Sequence, residues 1–314
     1  MMVCCMGSAW DERPGDRFSV DRFIRMHLRD SPSAEDRNER EKKMSVLHML
    51  KSATDTICES FIYEDEGLIL VIDGGFETES ETLYRKLRML GGRVTGWLFT
   101  HPHSDHVGAF CRLMEDHGDE IRVDAIYRNF LQEELLCEYE PREAENTRKY
   151  FAWIEQLVHR YRIQVKQMCA GDVHLFGEAK LHVLREPDPS ITVNCINNSS
   201  VVFRLDVHTS RVLFLGDLGT EGGEQLLECV PDEELKADFV QMAHHGQHGV
   251  ERPVYEVIRP RCCLWCTPTW LWDNIGPDGY DSGVFHTIVV RGWMSEMGVR
   301  RHYMNTYEDS CIVM

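Results

Sequence analysis

The segment THPHSDHVG, residues 100–108, places His101, His103, Asp105 and His106 within six positions. Imidazole nitrogen and carboxylate oxygen are the donors that zinc and similar divalent cations favour. Alternate residues leaving an extended strand point the same way, so His101 and His103 can share one ion. Asp105 and His106, one step further on, turn toward a second position beside it. Gly108 is expected to permit a tight turn there. Three further segments end apolar runs in residues of the same chemistry. VLFLGDLG (212–219) delivers Asp217, a carboxylate able to bridge two cations with one oxygen on each. FVQMAHHGQHGV (239–250) delivers His244 and His245, with His248 just beyond. LILVIDGG (68–75) delivers Asp73, which either serves the site or caps its own turn.

Each of these side chains must be carried by a buried strand. The short apolar runs at 67–73, 94–100, 211–217 and 239–243 read as such strands, bounded by Gly, Asp or His. Residues 77–91 carry apolar positions at helical spacing and stop at Gly91-Gly92. Residues 107–160 are expected to be mainly helical, with 144–162 the clearest amphipathic piece. Residues 164–215 are expected to form a series of strands, and 222–238 a helix. A helix then a strand are expected over 253–266, a helix near 285–297, and a last strand near Cys311–Val313. Strand-rich and helix-rich stretches alternate, which suits an α/β (α+β) sandwich of sheets covered by helices. Residues 1–50 read as a polar extension with an amphipathic stretch at Val20–His27 and an exposed helix or linker at Ser31–Lys43, and 51–314 as one domain.

Composition narrows the classes. The 314 residues are 43% hydrophobic, enough for a sizeable core, and no run approaches a transmembrane helix. The formal charge of -18 offers no basic stripe to neutralise phosphates, so a long nucleic acid is not the expected partner. A small substrate remains compatible, because a local metal site outweighs the global field. The 12 cysteines are scattered; the pair Cys263 and Cys266 lacks a second ligand pair and reads as buried thiols. The Cys4-Cys5 pair has no apolar stretch before it, so no lipid anchor or secretory leader is expected and the cytoplasm is the expected compartment.

The series strand-DGG, HxHxDH, strand-GD and strand-HHG, in this order over about residues 57–250, resembles the metallo-β-lactamase superfamily. The HHG ending is similar to the hydrolase-like domain of DNA-uptake channel proteins and to the teichoic-acid phosphorylcholine esterases. The resemblance implies an αββα sandwich, two mixed sheets face to face with helices outside and metals at one edge. It implies two divalent ions, zinc first, with manganese or iron as alternatives. His101 and His103 would hold the first ion, Asp105 and His106 the second, with Asp217 between them. One of His244 and His245 would complete the second site; the analogy to members reading HxG favours His244, leaving the other histidine to touch the substrate. Asp73 would orient the ligands. Most members carry one more histidine before the GD strand, where this chain has Asn197, Asn198, Ser199 and Ser200. An asparagine carbonyl or a water would stand there, and Asn198 would support the ligands from behind, as Asp73 would.

The implied activity is hydrolysis by a hydroxide shared between the metals, on a small phosphodiester or phosphomonoester. A lactone, thioester or β-lactam is the alternative, and a non-catalytic metal-binding module the other. Asp105 and Asp217, with His245 or His248 as proton donor, are the catalytic candidates. Trp270, Trp272 and Tyr280 lie among acids in TPTWLWDNIGPDGYD (267–281) and could cage a quaternary ammonium group, or pack on the core.

Overall fold

The computed structural model describes residues 45–306 and 308–314. Among the described residues, sixteen strands and seven helices of two turns or more carry the fold. The strands are β1 (Val46–Met49), β2 (Ser60–Asp65), β3 (Leu68–Asp73), β4 (Arg93–Val94), β5 (Gly96–Leu98), β6 (Arg122–Val123), β7 (Ala125–Arg128) and β8 (Gln164–Gln167), then β9 (Val173–Phe176), β10 (Ala179–Arg185), β11 (Val202–Val207), β12 (Ser210–Phe214), β13 (Phe239–Gln241), β14 (Cys262–Trp265), β15 (Arg301–Met304) and β16 (Ser310–Val313). The helices are α1 (Ser80–Met89), α2 (Ser104–His117), α3 (Glu133–Tyr139), α4 (Ala144–Tyr161), α5 (Thr220–Cys229), α6 (Arg252–Ile258) and α7 (Thr287–Glu296).

Two seven-stranded sheets run β16-β1-β2-β3-β5-β7-β8 and β15-β14-β13-β12-β11-β10-β9. Each is antiparallel in one half and parallel in the other, switching at β3 in the first sheet and at β12 in the second. The period-2 pattern explains the layering. Phe61, Tyr63, Leu70 and Ile72 face Phe203, Leu205, Val212 and Phe214 in a core between the sheets. Their neighbours Ile62, Ile69 and Val71 point outward, with Trp97, Phe110 and Met114, onto the helices of the first sheet. Leu213, Val240 and Cys263 do the same on the second. Helix, sheet, sheet, helix is the αββα sandwich.

Four differences from the sequence reading have local causes. The strand β1 pairs with both β2 and β16, so residues 46–49 belong to the sheet and not to an extension. Val20–His27, Ser31–Lys43 and the Cys4-Cys5 pair lie outside the described residues. The stretch 107–160, expected to be mainly helical, also contains β6 and β7, strands too short for an alternation to register. The strand β15 was likewise unexpected; it runs along a sheet edge, where polar residues blur the pattern. Gly108 is not in a turn. It sits inside α2, where a Cβ would come within 2.9 Å of the Glu77 backbone nitrogen, so glycine lets the helix close on the chain after β3.

Candidate metal centre

Both sheets end their parallel strands at the same edge. Asp73 closes β3, and β5 leads into His101. The strand β12 leads to Asp217, and β13 to the turn of His244 and His245. Carboxyl ends of parallel strands at a topological switch are where open α/β sheets gather their ligands. His103 is the N-cap of α2, and Asp105 and His106 fall in its first turn, where the helix dipole favours a carboxylate.

The side chains converge. One ligand atom each from Asp105, His106, Asp217 and His245 lie within 4.8 Å of one another, and so do one each from His101, His103 and Asp217. Asp217 belongs to both groups. Its Oδ1 faces His106 Nε2 at 3.3 Å, and its Oδ2 faces His245 Nε2 at 3.3 Å and His101 Nε2 at 3.8 Å. His245 Nε2 is also 3.1 Å from Asp105 Oδ2. His106 Nε2 and Asp217 Oδ1 are buried and have no hydrogen-bond partner. Two orphaned lone-pair atoms, facing one another in a buried pocket, suit a cation between them.

The far nitrogens of the rings are anchored. His106 Nδ1 donates to Asp73 Oδ2 at 2.8 Å, His245 Nδ1 to the Cys266 carbonyl at 3.1 Å, and His101 Nδ1 to Thr100 Oγ1 at 3.1 Å. This fixes the tautomer that leaves each Nε2 lone pair toward the cluster, the arrangement of metal-ligating histidine. Asp73 also accepts from the Thr100 backbone N–H at 2.8 Å and hydroxyl at 2.7 Å. It therefore orients His106 rather than capping its own turn.

Electrostatics follow from burial and proximity. Burial opposes a charged His245, yet the carboxylates of Asp217 and Asp105 outweigh it and push the imidazole up to about 10. Burial and then the neighbouring His106 hold His101 well below its ordinary value. Asp217 is held well below the usual carboxylate range, against its burial, by His245 and His106. A cation arriving here displaces protons from imidazole and meets ionised carboxylates.

The assignment of the paired histidines is reversed from the sequence expectation. His245, not His244, joins Asp105, His106 and Asp217. The turn explains why. Both residues are left-handed, with φ of 51° and 57°, so the chain doubles back and the two rings diverge. His244 Nδ1 donates to the His248 carbonyl at 2.9 Å, and its Nε2 stands 3.9 Å from Asp217 Oδ2 and 3.3 Å from Asn197 Nδ2. It flanks the His101 side of the cluster without entering either group. His248 is exposed, its ring against His286 and its Nε2 on the Val284 carbonyl at 3.1 Å. With His245 turned to two carboxylates, neither of the expected proton donors is free to serve one.

Other expectations shift as well. Asn198 does not face the cluster; its Oδ1 accepts the N–H groups of Gly219 and Gly222, each at 3.0 Å, and ties down the start of α5. Asn197 is the asparagine beside the site, with its Oδ1 buried and unpartnered. Trp270, Trp272 and Tyr280 do not form a cage. Trp272 packs on Trp265 and carries Arg291 4.0 Å above its ring, Trp270 packs on Phe285 and donates to the Asp55 carbonyl, and Tyr280 is exposed. Cys263 and Cys266 are free, buried and in different cores, as expected of packing thiols. Thr100, Glu59 and Gln241 were missed. Thr100 adjoins His101, and Gln241 is the polar residue in an apolar strand, a readable signal; Glu59 left none.

Similar proteins agree with this architecture. The metallo-beta-lactamase fold protein YhfI from Bacillus subtilis superposes with a TM-score of 0.53, covering 86% of this chain and 100% of its own at 10% identity. CmlA, a diiron beta-hydroxylase from Streptomyces venezuelae, gives 0.51, covering 87% of this chain and 54% of its own at 11% identity. In sequence, ComE operon protein 3 of Bacillus subtilis (strain 168) is 25% identical over 154 residues, 48% of this chain; the match spans only 17% of that relative's length. A profile of the metallo-beta-lactamase superfamily matches residues 53–258, which include every candidate ligand named above, and the chain belongs to that superfamily.

Proposed function

We propose that the chain is a two-metal hydrolase of small phosphodiesters or phosphomonoesters. The observation that carries this reading is the pair of donor groups joined through Asp217. His101, His103 and Asp217 would hold one divalent cation, and Asp105, His106, Asp217 and His245 the other. Mixed nitrogen and oxygen donors suit zinc, and also manganese or iron. When bound, such a pair lowers the pKa of water toward neutrality and stabilises charge building on substrate oxygens.

The residues around it favour an anionic substrate. Two ligand carboxylates would not neutralise two divalent cations, so an anionic phosphoryl oxygen would be attracted more strongly than a neutral carbonyl. The first group offers three protein donors and leaves room for a substrate oxygen. His244 stands on that side, its Nδ1 proton held by the His248 carbonyl and its Nε2 bordering the cluster, 3.9 Å from Asp217 Oδ2, so Nε2 would be its atom nearest a substrate bound there. Burial lowers its pKa and the Asp217 carboxylate works against that; as the imidazolium it would donate to a phosphoryl or leaving oxygen. The overall charge of -18 supports a small substrate over a nucleic-acid polymer. Free buried thiols fit a reducing compartment such as the cytoplasm. No helix among the described residues is long and apolar enough to cross a membrane.

The test is metal content together with turnover of bis-p-nitrophenyl phosphate, p-nitrophenyl phosphorylcholine and a chromogenic lactam, on the natural chain and on Asp217→Ala. Two metals per chain and metal-dependent phosphodiester cleavage, both lost in the variant, are expected. Bound metal with turnover of the lactam alone would overturn the substrate class. Neither metal nor turnover after zinc or manganese is added would overturn the enzyme reading.

A further inference from the structure

The two halves of the donor cluster come from different sheets. His101, His103, Asp105 and His106 follow β5, while Asp217 and His245 follow β12 and β13. A cation shared between them needs the sheets held at a fixed separation. Beneath it lies Gln241, wholly buried at the end of β13. Its Oε1 accepts the Leu215 N–H at 2.8 Å, two residues before Asp217. Its Nε2 donates to the carbonyls of Gly216 at 3.1 Å and Met242 at 2.9 Å. The same nitrogen reaches across the sandwich to Glu59 Oε2 at 2.8 Å.

Glu59 precedes β2 in the opposite sheet and is also wholly buried. Its backbone carbonyl accepts the Gly74 N–H at 2.8 Å, next to the Asp73 that orients His106. A continuous series of bonds therefore runs from His106 through Asp73, Glu59 and Gln241 to the Gly216-Asp217 turn. Glu59 Oε1 has no hydrogen-bond partner. A buried carboxyl with an orphan oxygen is costly, and an aliphatic side chain would fill this core position at lower cost. The cost needs a use. A third cation is not that use: the donor atoms of Glu59, Asp73 and His106 lie within 4.8 Å of one another, but His106 Nδ1 and Asp73 are already bonded to each other.

We propose that Glu59 and Gln241 are a positioning pair that sets the separation of Asp217 from His106 across the two sheets, and through it the affinity and geometry of the metal they share. The proposal rests on the reading of the cluster as a metal centre. It makes Glu59 and Gln241 act through other residues; neither touches the substrate.

The experiment uses the full chain with Glu59→Gln, Glu59→Leu and Gln241→Leu. Zinc affinity is measured by chelator competition, and coordination by the visible spectrum of the cobalt(II) form. The natural chain comes first: if it binds neither metal, the metal-centre reading fails and the pair is not at issue. If it binds, Glu59→Gln, which keeps an acceptor for Gln241, retains affinity within about threefold and an unchanged cobalt spectrum. Glu59→Leu and Gln241→Leu weaken zinc by roughly 10–100-fold, the usual effect of losing a residue that orients ligands, and shift the cobalt bands. A purely structural role would lower the melting temperature yet leave affinity and spectrum unchanged in the folded protein, and that result overturns the proposal. Where a leucine variant does not fold, Gln241→Asn, an amide one methylene shorter, carries the same expectation and the same refutation.

Discussion

The division of labour between adjacent histidines rests on two bonds. His245 gives its Nδ1 proton to a backbone carbonyl and turns Nε2 to Asp105 and Asp217; His244 gives its own to the His248 carbonyl and turns Nε2 to Asn197 on the His101 side of the cluster. Replacing each by alanine should therefore separate binding from turnover. His245→Ala is expected to lose the second metal, so that atomic absorption reads about one ion per chain where the natural protein holds two. His244→Ala is expected to keep both ions and lose about 10²–10⁴-fold in kcat, the usual contribution of a positioned proton donor. Equal metal loss in both variants would contradict the assignment. The sequence could nominate both histidines but not choose between them, because the choice depends on two consecutive left-handed residues, a conformation that spacing does not reveal.

At the level of elements, the strands that carry the chemistry were the legible part. LILVID, WLFT, VLFL and FVQM are apolar because both faces of β3, β5, β12 and β13 are buried, one in the inner core and one under helices. The edge strand β15 and the two-residue β4 and β6 were not legible, since a strand half in solvent or two residues long has no pattern to show. Nor did the sequence reveal how tightly the elements meet. Gly216, with φ of 54°, ends the approach to Asp217; a Cβ there would lie 2.8 Å from Ser200 Oγ and 2.9 Å from Thr100 Cβ. Ser200 Oγ accepts the Asp217 N–H at 3.0 Å, so the clash falls on the bond that holds the shared ligand. Gly216→Ala is expected to cost about 1–3 kcal/mol from the left-handed backbone, with the contact adding to it. Chemical denaturation checks this, and an unchanged unfolding midpoint would show that Ser200 and Thr100 can move aside.

For the whole molecule, the edge where both sheets end is a concentration of charge held in place by the rest of the sandwich, and its occupancy should feed back on the stability of the whole. Asp73, Asp105, Asp217 and Glu59 are gathered there with His101, His106 and His245, nearly all out of solvent. A cation that binds the folded chain and not the unfolded one stabilises it by about 2.7 kcal/mol when free metal is about 100 times Kd. Zinc or manganese should therefore raise the melting temperature and a chelator reverse the gain. The pH dependence has a definite sign. The folded pKa of His245 is raised from 6.5 to about 10, so its protonated form favours the metal-free fold; that contribution is complete below about pH 6.5 and fades as pH climbs through about 10. Metal competes with that proton. Its affinity should rise from pH 6 to pH 9 by roughly tenfold per unit for one proton displaced, and the thermal shift at fixed metal should grow with it. His245→Ala removes the competing proton together with one ligand, so the variant should show a smaller shift that varies less with pH. A thermal shift independent of pH in the natural chain would mean that the metal does not enter between Asp105, Asp217 and His245.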